Sequence, residues 1–228
     1  MAVTDRLIGF SASGLTGVWA KENTREDIYD AFRRKETFAT SGPRIKVRFF
    51  SGYDFEDADI NDLELVKKAY GGNLSMGSTI SIEQAKEPKF LVWAFADPLG
   101  APLQRIQIIK GWMENGEHQE RVYDVACSDG LIVNSSTYRC PENGAKVNIE
   151  NCSINENSGA SELKTFWQDP DFLMEQRAFY YVRVLENPVC RWSTWDSIRE
   201  GVEPRSDIPS TIQERAWTSP IWFEPTNS

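Results

Sequence analysis

Apolar residues change their spacing several times along this chain, and each change marks an element. In "ENTREDIYDAFRRKET", residues 22–37, Ile28, Ala31, Phe32 and Lys35 fall at helical spacing. Asn23 or Thr24 can cap that stretch, Glu26 and Asp27 occupy its first turn, and Arg33, Arg34 and Lys35 its last, as the helix dipole favours. The spacing predicts a helix that stops near Thr37. After Gly42-Pro43 the period falls to two: in "RIKVRFF" the apolar Ile45, Val47 and Phe49 alternate with Lys46 and Arg48, the pattern of a half-buried strand. Upstream, "LIGFSASGLTGVWA", residues 7–20, mixes small and apolar residues and reads as a buried strand or strand-loop. "DLELVKKAY", residues 62–70, reads as a short helix capped by Asn61 or Asp62 and ended by Gly71-Gly72.

Strand patterns then dominate: "STISIE", "KFLVWAFA", "RIQIIKGWM", "ERVYDVAC" and "RAFYYVRVLE", separated by turn signals such as Asp97-Pro98, Asn115-Gly116 and Asp129-Gly130. The fold class they predict is mainly β, an antiparallel two-sheet sandwich-like body with a few short helices. Its expected core is Leu91, Trp93, Phe95, Ile106, Ile108, Val122, Val125, Phe179, Tyr181 and Val184. The tail from Cys190, rich in Trp, Pro and Ser, predicts a short helix at 194–200 stopped by Gly201 and otherwise an irregular wrap over the body.

Composition narrows the function classes. The 228 residues are 40% hydrophobic, 12% aromatic and 26% charged, which excludes global disorder and a coiled coil and leaves enough chain for a proper core. With 34 acidic against 25 basic side chains, the net charge of −9 repels polyanions and argues against a nucleic-acid partner. No apolar run approaches the roughly 20 residues of a membrane span, and "MAVTDRLIGF" is too short and too polar for a signal peptide.

The four cysteines, Cys127, Cys140, Cys152 and Cys190, form no C-x-x-C pair, so zinc is disfavoured. Three flank loop-like sequence, as in disulfide-stapled excursions, with free buried thiols as the alternative. Of the three possible pairings, closing a single loop favours Cys140 with Cys152, which leaves Cys127 with Cys190 to tie two strands.

Candidate chemistry is sparse. Asp57, Asp59 and Asn61 begin like a calcium loop, but Asp62 stands where glycine is required and Lys68 where a bidentate Glu is, so the loop reads as an acidic turn that caps a helix. "GFSASG" misses the G-x-S-x-G spacing of a nucleophile elbow. The single histidine, His118, lies in a polar turn, and one imidazole cannot build a histidine-rich metal centre. "TSGPR", residues 40–44, offers backbone donors and Arg44 to an anion but lacks the helix that a phosphate loop requires, and so reads as a helix-to-strand turn. Arg191, Trp192, Trp195, Arg215, Trp217 and Trp222 either line a ligand cleft or pin the tail to the core.

Four long phrases carry a resemblance: "GFSASGLTGVWAKENTREDIYDAFRRKETFATSGPRIKVRFF", "PLQRIQIIKGWMENGEHQERVYDVACSDG", "DPDFLMEQRAFYYVRVLENPVCRWSTWD" and "TIQERAWTSPIWFEP". Together they resemble the C-terminal portion of a bacterial family of unknown function numbered 3604, related to the PHP-type metal-dependent phosphoesterases. The resemblance implies a longer parent, exported to the periplasm, whose N-terminal barrel binds divalent metal ions through His-x-His, Asp, Glu and Asp-x-His residues and activates water for hydrolysis. This chain has neither histidine motif, so no catalytic or metal-binding residue carries over and no cofactor is expected in it.

The resemblance divides the chain into residues 1–43, the terminal strand-helix unit of a PHP-like α/β barrel, and residues 44–228, a β-rich C-terminal domain. The expected partner is the missing N-terminal domain, and the chain alone is expected to be inactive, completing the fold or supplying one wall of a substrate cleft. Arg44, Arg191, Trp192, Arg215 and Trp217 are the candidate substrate contacts. The rival reading is a non-catalytic extracytoplasmic β-sandwich that binds a partner through its tryptophans. An independent hydrolase with an all-carboxylate metal site is a third reading, which the low histidine count disfavours.

Overall fold

Fourteen strands and three helices follow one another in the computed structural model, which describes residues 14–53, 55, 60–72, 74–82, 87–155 and 157–225. In chain order they are β1 (Leu15–Val18), α1 (Arg25–Arg33), β2 (Thr37–Thr40), β3 (Lys46–Gly52), α2 (Leu65–Gly72), β4 (Leu74–Ser75), β5 (Thr79–Ile82), β6 (Lys89–Phe95) and β7 (Leu103–Glu114). There follow β8 (Glu117–Cys127), β9 (Glu162–Gln168), β10 (Ala178–Glu186), β11 (Val189–Cys190), α3 (Trp192–Glu200), β12 (Thr211–Ile212), β13 (Arg215–Thr218) and β14 (Ile221–Pro225). None of these helices is long and apolar enough to cross a membrane.

The strands form an eight-stranded sheet, a four-stranded sheet in the order β4-β3-β6-β9, and the small β11-β12 ribbon. In the larger sheet β7 runs along one edge of β10 and carries β8 beyond it. β13 and β14 lie end to end along the other edge. All the pairings are antiparallel except β14 with β5.

Alternation builds the core between the two sheets. From β10, Ala178, Tyr180, Val182 and Val184 face inward, joined by Ile106 and Ile108 of β7. Opposite them stand Val47 and Phe49 of β3 and Phe90, Val92 and Ala94 of β6. The Phe90 ring sits 4.8 Å from Tyr180 and 5.7 Å from Phe223, which binds the sheets face to face as a sandwich. A buried ion pair closes one end: Lys110 Nζ donates to Asp169 at 2.7 Å and to the Asp171 carbonyl at 2.8 Å, while Tyr180 Oη donates to Asp169 at 2.7 Å. Both charges are therefore hydrogen-bonded, the condition for keeping an ion pair out of water. Burial and that carboxylate together raise the Tyr180 hydroxyl far above its ordinary range.

Several expectations need correction. The helix at 25 ends sooner than its charge pattern suggests: Thr24 caps it through the Asp27 N–H, Lys35 turns into the left-handed region, and "TFAT" becomes β2. Among the described residues β1 ends its sheet, with Leu15 45% exposed, and is not a buried strand; residues 7–13 of that stretch lie outside the described residues. The tail is less irregular than its composition implies, because β13 and β14 enter the larger sheet and bury Ala216, Ile221 and Phe223. β2 also pairs with β13, so residues 37–40 are hydrogen-bonded into the sheet that carries the tail.

Trp93 and Phe95 leave the expected core for the outer face of the smaller sheet, since Phe90, Val92 and Ala94 take the inner one. Phe179 and Tyr181 likewise face outward. "RAFYYVRVLE" is apolar on both faces, and the deciding feature lies on its neighbour: a Cβ on Gly111 would meet the Phe179 ring at 2.3 Å, so the outward ring lies across that glycine.

The cysteines form two disulfides, but as Cys127–Cys140 and Cys152–Cys190. The favoured pairing fails because the excursion between β8 and β9 doubles back along β8. Asp124 N–H donates to the Tyr138 carbonyl at 2.9 Å, and Cys140 N–H to the Asp124 carboxylate at 2.7 Å, which brings Cys140 beside Cys127. A local bridge between Val147 and Ile154 turns the second limb, whose Cys152 is tied to Cys190 of β11.

Candidate functional site

On the outer face of the four-stranded sheet, side chains stand in three cross-strand rows. Phe50, Leu91 and Phe166 form the first, Arg48, Trp93 and Lys164 the second, and Lys46, Phe95 and Glu162 the third. α2 covers the first row, burying Leu65 and Ala69 against Phe50 and Leu91. Beyond its Val66, Arg48 and Trp93 of the second row and Lys46, Phe95 and Glu162 of the third line a groove of about 830 Å³. Its walls are Trp19 on one side and, on the other, the Asp97–Gly100 turn and the returning chain at 159–162. That second wall depends on close packing. Gly159 has φ +98°, and a Cβ there would meet Asn187 Nδ2 and Pro102 Cβ at 2.6 Å each.

Trp19 is fixed by its indole N–H, which donates to the Val47 carbonyl at 2.8 Å. The Arg48 guanidinium lies 3.6 Å from the Trp19 ring and 5.7 Å from that of Tyr70, and its Nη1 donates to Tyr70 Oη at 2.9 Å. Tyr70 in turn donates to Glu36, a carboxylate only 4% exposed that also accepts from Ser75 Oγ at 3.0 Å and Arg34 Nη2 at 3.3 Å. Burial first, then Glu36, pushes the Tyr70 hydroxyl up to about 12. Behind the Trp19–Arg48 ridge lies a second depression of about 490 Å³, lined also by Lys21, Arg34 and Tyr70.

The charges around the groove are unevenly matched. Asp97 accepts the Arg44 N–H at 2.7 Å and the Leu99 N–H at 3.0 Å, and these two bonds hold its carboxyl below the usual carboxylate range. Glu162 accepts the Trp93 indole N–H at 2.7 Å and pairs with Lys164 at 3.7 Å. Lys46 and Arg48, in contrast, have no carboxylate partner among the described residues. Flat rings beside cations can hold a ligand with a weakly polar face and an anionic substituent.

Of the residues singled out by sequence, only Arg44 stands at this rim, and its contact is a backbone one. The donors of its turn are otherwise occupied inside the protein: Gly42 N–H by Thr40 Oγ1 and Ser41 N–H by the Arg215 carbonyl. Arg215 and Trp217 lie together on the outward side of β13, with the guanidinium 5.9 Å from the ring. Arg191 and Trp192 begin α3. None of these four lines the groove.

His118 is exposed on β8 near the hairpin tip. Asp57 and Asp59 lie outside the described residues, and Asp62 acts as a cap, accepting the Glu64 N–H at 2.8 Å. Among the described residues no three His, Cys, Asp or Glu side chains are grouped to hold a metal ion. Sequence reasoning missed Trp19, Lys46, Arg48 and Trp93. The available signal was that Lys46 and Arg48 occupy the polar phase of a strand whose cross-strand neighbours are aromatic.

The fold and the groove define a mainly antiparallel β-sandwich with a ligand-sized groove on the outer face of one sheet, lined by aromatic rings, two cations and two carboxylates. The family model described as "Protein of unknown function (DUF3604)" matches residues 3–225, and the chain belongs to that family. No curated protein and no solved structure matches the chain.

Proposed function

We propose that this chain is the ligand-holding part of a PHP-like metal-dependent hydrolase, in which it supplies one wall of the substrate cleft and an upstream domain supplies the metal ions and the chemistry. The observation that carries this reading is the groove: two cations with no carboxylate partner among the described residues, set beside half-buried rings, in a chain whose net charge is −9. Unpaired positive charge in an acidic protein suits a site for an anionic substrate, as a phosphate or related ester is. The hydrolase assignment rests on resemblance alone. Export of the parent to an oxidising compartment fits the two disulfides.

The test compares metal content and phosphoesterase activity of this chain with those of a longer protein that carries the upstream domain. The expected result is a silent, metal-free short chain and an active, metal-loaded long one, whose KM rises on Arg48→Gln. Stoichiometric metal and activity in the short chain would overturn the reading, and so would a long protein without activity.

A second reading, an autonomous binding module, is favoured by the pairing of β1 and β2 into the larger sheet. Against it stand Tyr29 and Phe32, 61% and 50% exposed on α1, an apolar face suited to a neighbouring domain.

A further inference from the structure

The groove floor is the flank of β6, and β6 is hydrogen-bonded along its length to β3 on one side and β9 on the other. The middle of the floor therefore offers ring faces and side-chain cations, and β6 has no free edge to which a peptide could add as a strand. A bare inorganic anion would use the cations and ignore the rings. A pyranose uses both, because its C–H face packs on an aromatic ring while its substituents reach polar groups at the rim.

The groove and the second depression share Trp19 and Arg48, so a ligand longer than one unit crosses that ridge. Arg48 is held there without a carboxylate partner among the described residues. Its stacking on Trp19 and its bond to Tyr70 fix the guanidinium, and Nε and Nη2 meet no protein acceptor among the described residues. Held that way, it can receive a carboxylate or sulfate at little ordering cost. Lys46 in the groove and Lys21 beyond the ridge place a further cation on each side of Arg48, while the carboxylates of the lining are engaged: Asp97 by two backbone N–H groups, Glu162 by Trp93 and Lys164, and Glu36 by Tyr70, Ser75 and Arg34.

We infer that the two depressions bind successive units of an acidic oligosaccharide, a chain of sugars bearing carboxylate or sulfate groups, with Trp93 as a stacking platform and Arg48 as the residue that selects the charged substituent. This rests on the reading of the groove as a ligand-holding wall and names the ligand class.

The test is calorimetric titration of the full 228-residue chain with tetragalacturonate, its fully methyl-esterified form, a sulfated tetrasaccharide, tetraglutamate and inorganic phosphate. One or both acidic saccharides should saturate the chain, and the pair distinguishes carboxylate from sulfate. The methyl ester should bind at least about tenfold more weakly, because a charge-assisted bond to Arg48 is lost. Arg48→Gln and Trp93→Ala should each weaken binding about tenfold or more, and Lys46→Ala, an exposed position with no side-chain partner among the described residues, by a few-fold. Added salt should weaken the acidic ligands and leave the ester unchanged.

Equal binding of the ester, displacement by phosphate at similar concentration, equal binding of tetraglutamate, or no saccharide binding by a folded chain would each overturn the proposal. Failure here in a longer protein whose hydrolysis still depends on Arg48 would discard the sugar and keep the cleft wall. Sugar binding by this chain, with a longer protein that hydrolyses nothing, would do the reverse.

Discussion

One flank of the four-stranded sheet is dry and the adjoining flank is open, although the same strands build both. Under α2, Phe50, Leu91, Leu65 and Ala69 are each no more than 1% exposed. One row further, Arg48 and Lys164 flank Trp93, and α2 meets this row only at its margin, through Val66 and through Tyr70 on Arg48. The difference teaches where a groove comes from. An apolar row attracts a covering helix, whereas a row that mixes rings with cations would have to strip water from those cations to be covered. Such a row stays open and can receive a ligand that brings its own negative charge.

The sharpest way to break the comparison is at the rim of the open side, which the disulfide-bound excursion returns to form. Replacing both Cys152 and Cys190 by Ala releases a 38-residue loop and should cost about 4 kcal/mol by loop entropy, against about 3 kcal/mol for the 13-residue Cys127–Cys140 loop. Urea denaturation of the two double variants would show whether the order holds.

Next in size is the covered side. Leu65→Ala opens a cavity under α2 and should cost about 2–4 kcal/mol, read from the same denaturation curves.

A third effect lies beneath the rim turn. Glu186 is 1% exposed, its Oε1 has no hydrogen-bond partner, and burial pushes its carboxyl up to about 8. Folded, it keeps its proton where the unfolded chain has lost it, so the stabilisation is complete below about pH 4.5 and is lost as pH rises toward 8. Glu186→Gln should flatten that fall, raising stability at pH 8 by on the order of 2–4 kcal/mol relative to the parent chain, and Tm measured from pH 5 to pH 9 checks it. The smallest effect belongs to the open floor: Lys46→Ala should change stability by no more than about 0.5 kcal/mol, since no partner is lost.

The chain's alternation made most of the sandwich legible, because "RIKVRFF" and the opening "RIQI" of "RIQIIKGWM" alternate polar with apolar residues. Where both faces are apolar, as in "RAFYYVRVLE", the sequence pattern has no phase to offer, and the outward ring of Phe179 is explained only by Gly111 on another strand. The tail strands were hidden for a related reason: "RAWT" and "IWFEP" are short and bounded by Pro, and they are strands because β10 presents its free edge to them. The groove was the least legible part. Trp93 has the same sequence character as a core tryptophan, and only the extent of α2 decides that it lines a site. Arg191, Trp192, Arg215 and Trp217 looked like a cluster because they are close along the chain, yet they divide between α3 and β13.

That contrast gives the most direct test. In the ¹H–¹⁵N spectrum of the labelled chain, each tryptophan indole N–H reports its own surroundings, and titration with an acidic tetrasaccharide should shift Trp19 and Trp93 and leave Trp192 and Trp217 in place. Shifts at Trp192 and Trp217 with Trp19 and Trp93 unmoved would contradict the groove and return the site to the tail.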